Sequence, residues 1–380
     1  MTASASPEVQ LFDSTTQSFL DKEVPLTRVR QLHDEGVSFD RQWWCRAAEL
    51  GWASLLVPEE LGGGSVSGEG VADLALVAER TGRTVAPGPL HAVSTVLAGL
   101  ADADNSDALA DVIESLVSGE SVASWAVYEP GGQWNPLHPN VTATPTAGGF
   151  RIDGVKDRVE AGADSDLLLV VANCEDVPRQ FLIRGDAPGV DVQNHRSIDL
   201  VKTYATVTFT GVEIDDSAAV GSAEQTPALI ARQSQIAALL QCAEAVGILD
   251  TVFDMTVQWG FDRHSFGRPL VSYQALKHMY ADLKIWLESC RATTRAAVTE
   301  IGNREPGADI AISVAKSYVF QHAPDMVQMC IQLHGGIGVT WEHDLHLYLR
   351  RVTLYRSLFG TPEDHNLRVY RMTKELESAS

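Results

Sequence analysis

The amino-acid sequence predicts a chain of three consecutive blocks in which two helical regions flank a β-domain. Apolar residues recur every three or four positions in the first and last blocks, as in amphipathic helices, whereas the middle block has short, alternating, β-branched segments. Because helices and strands are segregated, the pattern argues against a doubly wound parallel sheet. We expect domains over residues 1–120, 121–224 and 225–380.

The first block reads as helices separated by short turns, from about Glu8 to Asp111. The segments FDRQWWCRAAELG and GVADLALVAERTGR both have the helical period. Between them, Pro58 and a run of three glycines stop one helix and turn the chain before the next.

The second block, from about Ser121 to Ala223, reads as strands. Its segments are SVASWAVY, GFRIDGVKDRV, LLLVVA, QFLIRG and YATVTFTGVEI, separated by Gly, Asp and Asn. From Pro227 the helical period returns and continues in long stretches. The last third is therefore predicted to be a helical bundle.

The charge balance restricts the partners of the chain. Of its 380 residues, 29 are Lys or Arg and 50 are Asp or Glu, which gives a formal net charge of -21. This field repels phosphate backbones and anionic membranes, so we expect neither nucleic acid nor a membrane as a partner. An anionic ligand such as FAD or a CoA thioester needs local cationic groups.

The cysteines and the N-terminus indicate a reducing, cytoplasmic setting. The five cysteines are scattered and never spaced as CxxC, which favours neither a disulfide framework nor a zinc site. The N-terminus lacks the charged and apolar regions of a signal peptide, and we find no uninterrupted apolar run of about 18 residues.

Two segments of the last block have the most specific pattern. The first, DRHSFGRPLVSYQALKHMYADL, contains an Arg-x-x-Phe-Gly-x-Pro turn and then a helix that opens with an aromatic-Gln pair. The second, QLHGGIGVTWEHDLHLYLRR, contains a Gln followed by two adjacent glycines. The motif positions are Arg263, Phe266, Gly267, Pro269, Tyr273, Gln274, Ala281, Asp282, Gln332, Gly335, Gly336, Gly338, Glu342 and Arg350.

With these two motifs in register, the sequence resembles the acyl-CoA dehydrogenase family. The N-terminal segments ELGWASLLVPEELGGG and VAERTGRTVAPGPL extend the resemblance to nearly the whole chain. The resemblance implies an N-terminal α-helical domain, a middle β-barrel-like domain and a C-terminal four-helix-bundle domain. It also implies an FAD cofactor, an acyl-CoA substrate desaturated between its α and β carbons, and electron-transfer flavoprotein as the acceptor.

The motif residues have the chemistry that a bound dinucleotide requires. Arg263 offers forked cationic donors suited to a pyrophosphate, and Gln332 can both donate and accept. Adjacent glycines let a ligand approach the backbone. In homotetrameric relatives, these positions reach across a dimer interface to the FAD of the neighbouring subunit. The cofactor-binding residues implied by the resemblance are Arg263, Ser265, Phe266, Gln274, Gln332, Gly335 and Gly336.

A purely structural interpretation of the same residues is also open. Gly335 and Gly336 would then only end a helix, and Arg263 would pair with Asp262 or Glu342. The register of the two motifs favours the cofactor interpretation.

The β-domain departs from the family where typical members contact the flavin ring. They carry a Thr-Glu-Pro-x-x-Gly-Ser-Asp stretch and a Trp-x-Thr segment. Here residues 128–135 read YEPGGQWN, and the second segment reads Arg158-Val159-Glu160. A carboxylate beside flavin N5 would oppose the negative charge of the reduced ring. The flavin-ring half of the site is therefore predicted to be lost in this chain.

The family's catalytic base is missing as well. Its chemistry removes the α-proton with a Glu while the β-hydrogen leaves as hydride, so a carboxylate of raised pKa is required. The resemblance places the usual base at Phe359 and the alternative base at Ala237. Neither side chain can take a proton, so we predict no catalytic residue in this chain.

Two other groups of ionisable residues merit consideration. Glu244 lies two helical turns beyond the alternative base position, roughly 10 Å farther along the same face. Pairing of Glu244 with Arg232, Gln241 or a partner helix is the simpler interpretation. A metal at His343, Asp344 and His346 is disfavoured, because we expect both histidines in one helical segment without a well-spaced third ligand.

The combined pattern is similar to one subunit type of the α2β2 acyl-CoA dehydrogenases that act on steroid side-chain CoA thioesters in actinobacteria. A homologous partner would then hold the flavin ring and supply the Glu, and half as many FAD sites as subunits would leave room for a bulky acyl group. Two alternatives stay open. One is an autonomous flavoenzyme that uses Glu244 or oxygenase chemistry, and the other is a non-catalytic assembly subunit.

Overall fold

A computed structural model, which describes residues 6–131 and 134–379, confirms the predicted succession of helices, sheet and helices. Asp40 caps one of the helices in the first block by accepting a hydrogen bond from the Gln42 amide at 2.9 Å. The helices of the first block are α1 (Pro7–Glu23), α2 (Leu26–Glu35), α3 (Arg41–Glu49), α4 (Gly70–Arg83), α5 (Leu90–Asp102) and α6 (Ala110–Val117).

The middle block forms one eight-stranded sheet. Its strands are β1 (Ala123–Ala126), β2 (Thr142–Thr146), β3 (Gly149–Glu160), β4 (Leu167–Cys174), β5 (Val177–Arg184), β6 (Val190–His195), β7 (Tyr204–Asp215) and β8 (Ala219–Val220).

The strand order is β6-β7-β3-β2-β4-β5-β8, with β1 paired to β4. The β1–β4 and β2–β4 pairings are parallel, and the other pairings of this sheet are antiparallel. Apolar side chains on one face, including Ile152, Phe181 and Val207, form a buried core. The β3–β7 register shifts between Lys156 and Val159, which places Arg158 in a bulge with a positive φ of 48°.

The last block is helical except for a short hairpin. Its elements are α7 (Thr226–Asp262), the hairpin strands β9 (His264–Ser265) and β10 (Arg268–Pro269), and then α8 (Gln274–Gly302), α9 (Ala308–His334), α10 (Leu345–Arg356) and α11 (Pro362–Ala379). Helix α9 packs against α8, α10 and α11.

The described chain divides into two compact units. The first contains Gln31–Leu74 and Pro87–Ala237 and includes the sheet. The second contains Gln10–Arg30, Ala75–Ala86 and the chain from Ala238 onward. The domain limits at residues 120 and 224 that follow from the sequence pattern stay a prediction.

Two glycines set the crossing of α4 and α7 within the second unit. A Cβ on Gly82 would lie 2.0 Å from the Glu244 carbonyl oxygen, and a Cβ on Gly247 would lie 1.8 Å from the Glu79 carbonyl oxygen. Each helix backbone therefore occupies the space in which the other would carry a side chain. This close approach fixes the position of Glu244 along α7.

Within the described residues, α7 is the helix whose length and composition would allow it to cross a membrane. However, 83% of its apolar window is buried inside the structure. Helix α7 therefore has the burial expected of a core helix.

Candidate functional site

The first motif forms the hairpin that follows α7. Phe266 and Gly267 make its turn with positive φ values of 48° and 78°, and the Phe266 side chain is 97% exposed. Tyr273 holds the hairpin against the start of α8, because its hydroxyl donates to the Ser265 carbonyl oxygen at 2.6 Å and its ring lies 3.9 Å from the Arg268 guanidinium. The hairpin thus presents an aromatic side chain to the outside of the chain.

Arg263 enters this hairpin with an exposed side chain. Its amide donates to the Trp259 carbonyl oxygen at 2.8 Å, and its carbonyl oxygen accepts from the Leu270 amide at 2.9 Å. Within residues 6–131 and 134–379, its guanidinium has neither an ion pair nor a hydrogen bond. The alternative pairing with Asp262 or Glu342 is therefore wrong, and the cation is available to a group outside the chain.

The second motif lies at the end of α9. Gly335 has a φ of 68°, so its backbone conformation explains a glycine there without a ligand. Gly336 differs, because its φ is not positive and a Cβ would meet no atom within 4 Å. Gln332 is exposed. The helix-ending interpretation thus accounts for Gly335 but not for Gly336 or Gln332.

An aromatic contact brings the two motifs to the same end of α7 and α9. Trp259, one turn before Arg263, stacks on His334 with ring centroids 5.4 Å apart and an interplanar angle of 17°. His334 directly precedes Gly335. Gln274 opens α8, and its amide nitrogen lies 2.8 Å from His278 Nε2 in the next turn. The cofactor roles of these residues stay a prediction.

In the β-domain, the two segments that the resemblance aligns with the family's flavin-contacting segments contact each other. The Arg158 guanidinium lies 4.3 Å from the Tyr128 ring centroid, and the Trp134 ring lies 4.9 Å from the same ring. Arg158 also donates to the Glu129 carbonyl oxygen at 3.3 Å. Gly132 and Gln133, which belong to the same stretch, lie outside the described residues. A cation and two aromatic rings thus occupy the segments that the resemblance aligns with the family's flavin-contacting segments.

The two carboxylates of this region serve the β-domain itself. Glu160 accepts a hydrogen bond from Lys202 Nζ at 2.7 Å, and both groups are largely buried. Glu129 accepts from the backbone amides of Asn140 and Val141 and from Lys156 Nζ at 2.8 Å. Burial opposes ionisation of Glu129, but the Lys156 charge and these amides hold its pKa below its usual value. Each of these two carboxylates is therefore already paired with a lysine of the β-domain.

Both positions assigned to the family's base hold side chains that cannot ionise. Ala237 is buried in α7 and belongs to the first unit. Phe359 is half-buried in the turn before α11, where its carbonyl oxygen accepts from His365 Nε2 at 2.8 Å.

Glu244, the substitute acid, is fully engaged inside the second unit. Its Oε1 accepts from Arg351 Nη1, and its Oε2 accepts from the Tyr355 hydroxyl at 2.8 Å. Glu244 and Arg351 are both buried. Pairing with a partner helix was the correct interpretation, but Arg232 and Gln241 were the wrong partners. A carboxylate held by two donors in the core is not poised to remove a substrate proton.

His343 and His346, which follow the second motif, contact other aromatic side chains of the chain. His346 lies in α10, but His343 precedes that helix, so the expectation of one helical segment was wrong for His343. Among the described residues, no group of three or more His, Cys, Asp or Glu side chains is arranged to hold a metal.

Comparison with known proteins assigns the family. The N-terminal domain of acyl-CoA dehydrogenase matches residues 6–120, and its C-terminal domain matches residues 229–372. The chain belongs to the acyl-CoA dehydrogenase family. The acyl-CoA dehydrogenase IpdE2 of Mycolicibacterium smegmatis is 28% identical over 360 residues, which cover 94% of this chain and 96% of that protein.

Solved structures agree with this assignment. A Tcur3481-Tcur3483 steroid ACAD superimposes with a TM-score of 0.87 and 26% identity, covering 98% of this chain and 99% of that chain. The ChsE4-ChsE5 complex from Mycobacterium tuberculosis gives a TM-score of 0.88 at 24% identity, covering 99% of each chain, and shows the shared fold. The predicted fold class, family and enzyme class, an acyl-CoA dehydrogenase oxidoreductase, are confirmed. FAD, the cofactor of this family, is confirmed with them.

Sequence reasoning about this acyl-CoA dehydrogenase missed the groups that support the motifs. Arg30, Trp259 and His334 surround the second motif, and Arg351 neutralises Glu244. Arg351 and His334 had a signal in the sequence, because each is adjacent to a motif position, Arg350 and Gly335 respectively. Arg30 and Trp259 lie outside the two motif segments.

Proposed function

We propose that this chain is one subunit of a heteromeric, FAD-dependent acyl-CoA dehydrogenase. In this proposal, Arg263, Phe266, Gln332 and Gly336 contact the pyrophosphate side of an FAD whose ring is held by a homologous partner subunit. The partner also supplies the catalytic Glu. The holoenzyme desaturates an acyl-CoA between its α and β carbons, and the bound FAD accepts the hydride.

The observation that carries the proposal is the outward orientation of the motif residues. Arg263 has no ion-pair partner within the described chain, and Phe266 is almost completely exposed. An exposed cation and an exposed Phe without an internal contact are best explained by a task outside the chain. A pyrophosphate suits the forked donors of Arg263, and the open Gly336 backbone suits close approach of a ligand.

The residues present fit the pyrophosphate contacts but not a flavin ring in this chain. Arg158 and Trp134 both pack on Tyr128, in the segments that align with the family's flavin-contacting segments. Phe359 and Ala237 stand at the base positions, and Glu244 is neutralised by Arg351. A partner that supplies the ring platform and the base supplies what this chain lacks.

The nature of the acyl group is proposed from the relatives. One of the similar structures is described as a steroid ACAD at 26% identity, which favours a bulky steroid side-chain CoA thioester. Fewer FAD sites than subunits would leave room for such a group. Electron-transfer flavoprotein as the acceptor and a cytoplasmic location belong to the same proposal.

The decisive experiment is the FAD content of the purified chain, alone and co-expressed with homologous acyl-CoA dehydrogenase subunits. We expect the lone chain to be colourless or insoluble and the complex to carry about one FAD per heterodimer. Stoichiometric FAD and acyl-CoA oxidation by the lone chain would contradict the proposal and favour an autonomous flavoenzyme.

A different result is expected if the cofactor site of this chain is vestigial. If this chain only supports assembly, Arg263→Ala leaves the FAD content and turnover of the complex unchanged. We expect this substitution to weaken FAD binding by at least about tenfold, because it removes a charge-assisted hydrogen-bond donor. Arg184→Ala, which removes an exposed arginine of the first unit, is the control.

A further inference from the structure

The segment that carries the two motif glycines is partly exposed. Between α9 and α10, residues 335–344 form a short 3-10 turn, Gly335–Val339, and then an irregular stretch. Val339 is 76% exposed and Trp341 is 49% exposed. Burial alone therefore does not hold this segment in one conformation.

His346 stacks on Trp341 with ring centroids 4.6 Å apart, its Nε2 lies 3.2 Å from the Trp341 carbonyl oxygen, and Arg30 of α2 adds further contacts. The Arg30 Nη1 donates to the Trp341 carbonyl oxygen at 2.9 Å, and its Nη2 donates to the His343 carbonyl oxygen at 3.3 Å and to Asp344 Oδ1 at 2.8 Å. Its Nε donates to the same Asp344 oxygen at 3.2 Å, and its guanidinium lies 5.4 Å from the Trp341 ring centroid. One planar side chain thus fixes consecutive parts of the segment.

Contacts between aromatic rings link residues 341–344 to both motifs. His343 meets His334 edge-on, with ring centroids 4.8 Å apart, and His334 stacks on Trp259. His334 Nδ1 also lies 2.8 Å from the Cys330 carbonyl oxygen. His334 precedes Gly335, and the Trp259 carbonyl oxygen accepts a hydrogen bond from the Arg263 amide, so these ring contacts connect His343 to both motif backbones.

We propose that Arg30 is a positioning residue for the cofactor site. It fixes residues 341–344 and, through the rings of His343, His334 and Trp259, holds the two motifs in a fixed position relative to each other. This proposal rests on the proposed function, because that relative position matters only if both motifs contact one FAD. Arg30 itself need not touch the cofactor.

The test compares Arg30→Met with Arg80→Met in the complete heteromeric complex. Arg80 pairs with Asp13 of α1, and its side chain is 21% exposed against 20% for Arg30, so the two substitutions remove similar ion pairs. The readouts are hydrogen exchange of peptides covering residues 335–346 and the dissociation constant of FAD. For Arg30→Met we expect at least about tenfold faster exchange and about tenfold weaker FAD binding, since several charge-assisted hydrogen bonds are lost.

Arg80→Met should lower stability similarly but leave the exchange of residues 335–346 and the FAD affinity unchanged. Arg30→Lys keeps the charge without the planar fork and should give an intermediate effect on both readouts, which covers the case that Arg30→Met does not fold. Unchanged exchange in both Arg30 variants overturns the positioning role.

An Arg263→Ala complex separates this proposal from the proposed function. If Arg263→Ala weakens FAD binding but the Arg30 variants do not, the positioning role fails and the proposed function stands. If neither changes FAD binding, the proposed function itself fails, and the positioning role fails with it.

Discussion

Glu244 and Arg351 form an ion pair buried between α7 and α10. Arg351 also donates to the Val85 and Ala86 carbonyl oxygens at 3.3 Å and 3.4 Å, and Tyr355 donates to the second Glu244 oxygen. All polar atoms of the Glu244 carboxylate are thereby engaged inside the second unit. Glu244, which the sequence offered as a substitute for the family's base, therefore has a structural role.

Breaking this pair should destabilise the chain strongly. Glu244→Gln leaves the buried Arg351 charge uncompensated, so we expect a loss of about 3–5 kcal/mol in the free energy of unfolding. Chemical denaturation of the natural chain and of the Glu244→Gln variant at neutral pH measures this loss. Glu288→Gln is the control, because Glu288 is half-exposed in its pairs with Lys284 and Arg291 and its loss should cost less than about 1 kcal/mol. A stable Glu244→Gln protein that loses turnover would identify Glu244 as a base instead.

Gly336→Ala should leave folding unchanged and weaken cofactor binding. Since the added Cβ meets no atom within 4 Å and φ is not positive, we expect stability to change by less than about 0.5 kcal/mol. FAD binding by the complex should weaken about tenfold, because the cofactor can no longer approach the backbone closely. Gly148→Ala is the matched control, since its Cβ also meets no atom within 4 Å. Equal FAD affinity in the two variants would exclude close approach at Gly336.

Arg158→Met tests where the flavin ring lies. The substitution removes the cation over Tyr128 and the hydrogen bond to Glu129, so we expect a loss of about 1–2 kcal/mol in stability. The FAD content of the complex should stay the same if, as proposed, the partner subunit holds the flavin ring. Absorbance in the flavin bands decides the question. A change in flavin content or spectrum would place the ring beside Arg158 in this chain.

Gly247→Ala should disturb the crossing of α4 and α7. Its Cβ would overlap the Glu79 carbonyl oxygen, and two backbones must separate to admit it. We expect a loss of about 3 kcal/mol or more in the free energy of unfolding, which is the upper end of the range for substitutions that overpack a core. Thermal unfolding beside the Gly148→Ala control checks this expectation, and an unchanged midpoint would contradict the close crossing.

His365 should make stability depend on acid pH. Burial lowers the pKa of His365 to about 4, from the ordinary value near 6.5, although its hydrogen bond to Phe359 favours the charged form. Between these values the unfolded chain binds more protons than the folded one, so stability rises with pH and is lost as pH falls from about 6.5 to about 4. The contribution is up to about 3 kcal/mol.

Unfolding measured across this pH range should show a smaller slope for His365→Gln than for the natural chain. Gly148→Ala, which removes no ionisable group, should keep the natural slope. Equal slopes in all three proteins would show that His365 does not titrate on unfolding.

The sequence by itself determined the order of helices, sheet and helices, the family, and the identity of the residues at the base positions. Local periodicity reports which face of an element is buried, and motifs such as the Arg263 turn are contiguous, so both can be read without coordinates. The assignment of Phe359 to the family's base position stays a prediction from the resemblance.

The tertiary structure alone decided which charged groups meet. Glu244 and Arg351 are 107 residues apart, and Arg30 and Asp344 are 314 residues apart. No local period links such pairs, because their contact depends on how separate helices pack. The exposure of Arg263 and Phe266 was likewise a result of packing. Identity of the residues is local information, whereas their pairing and orientation are set by the folded core.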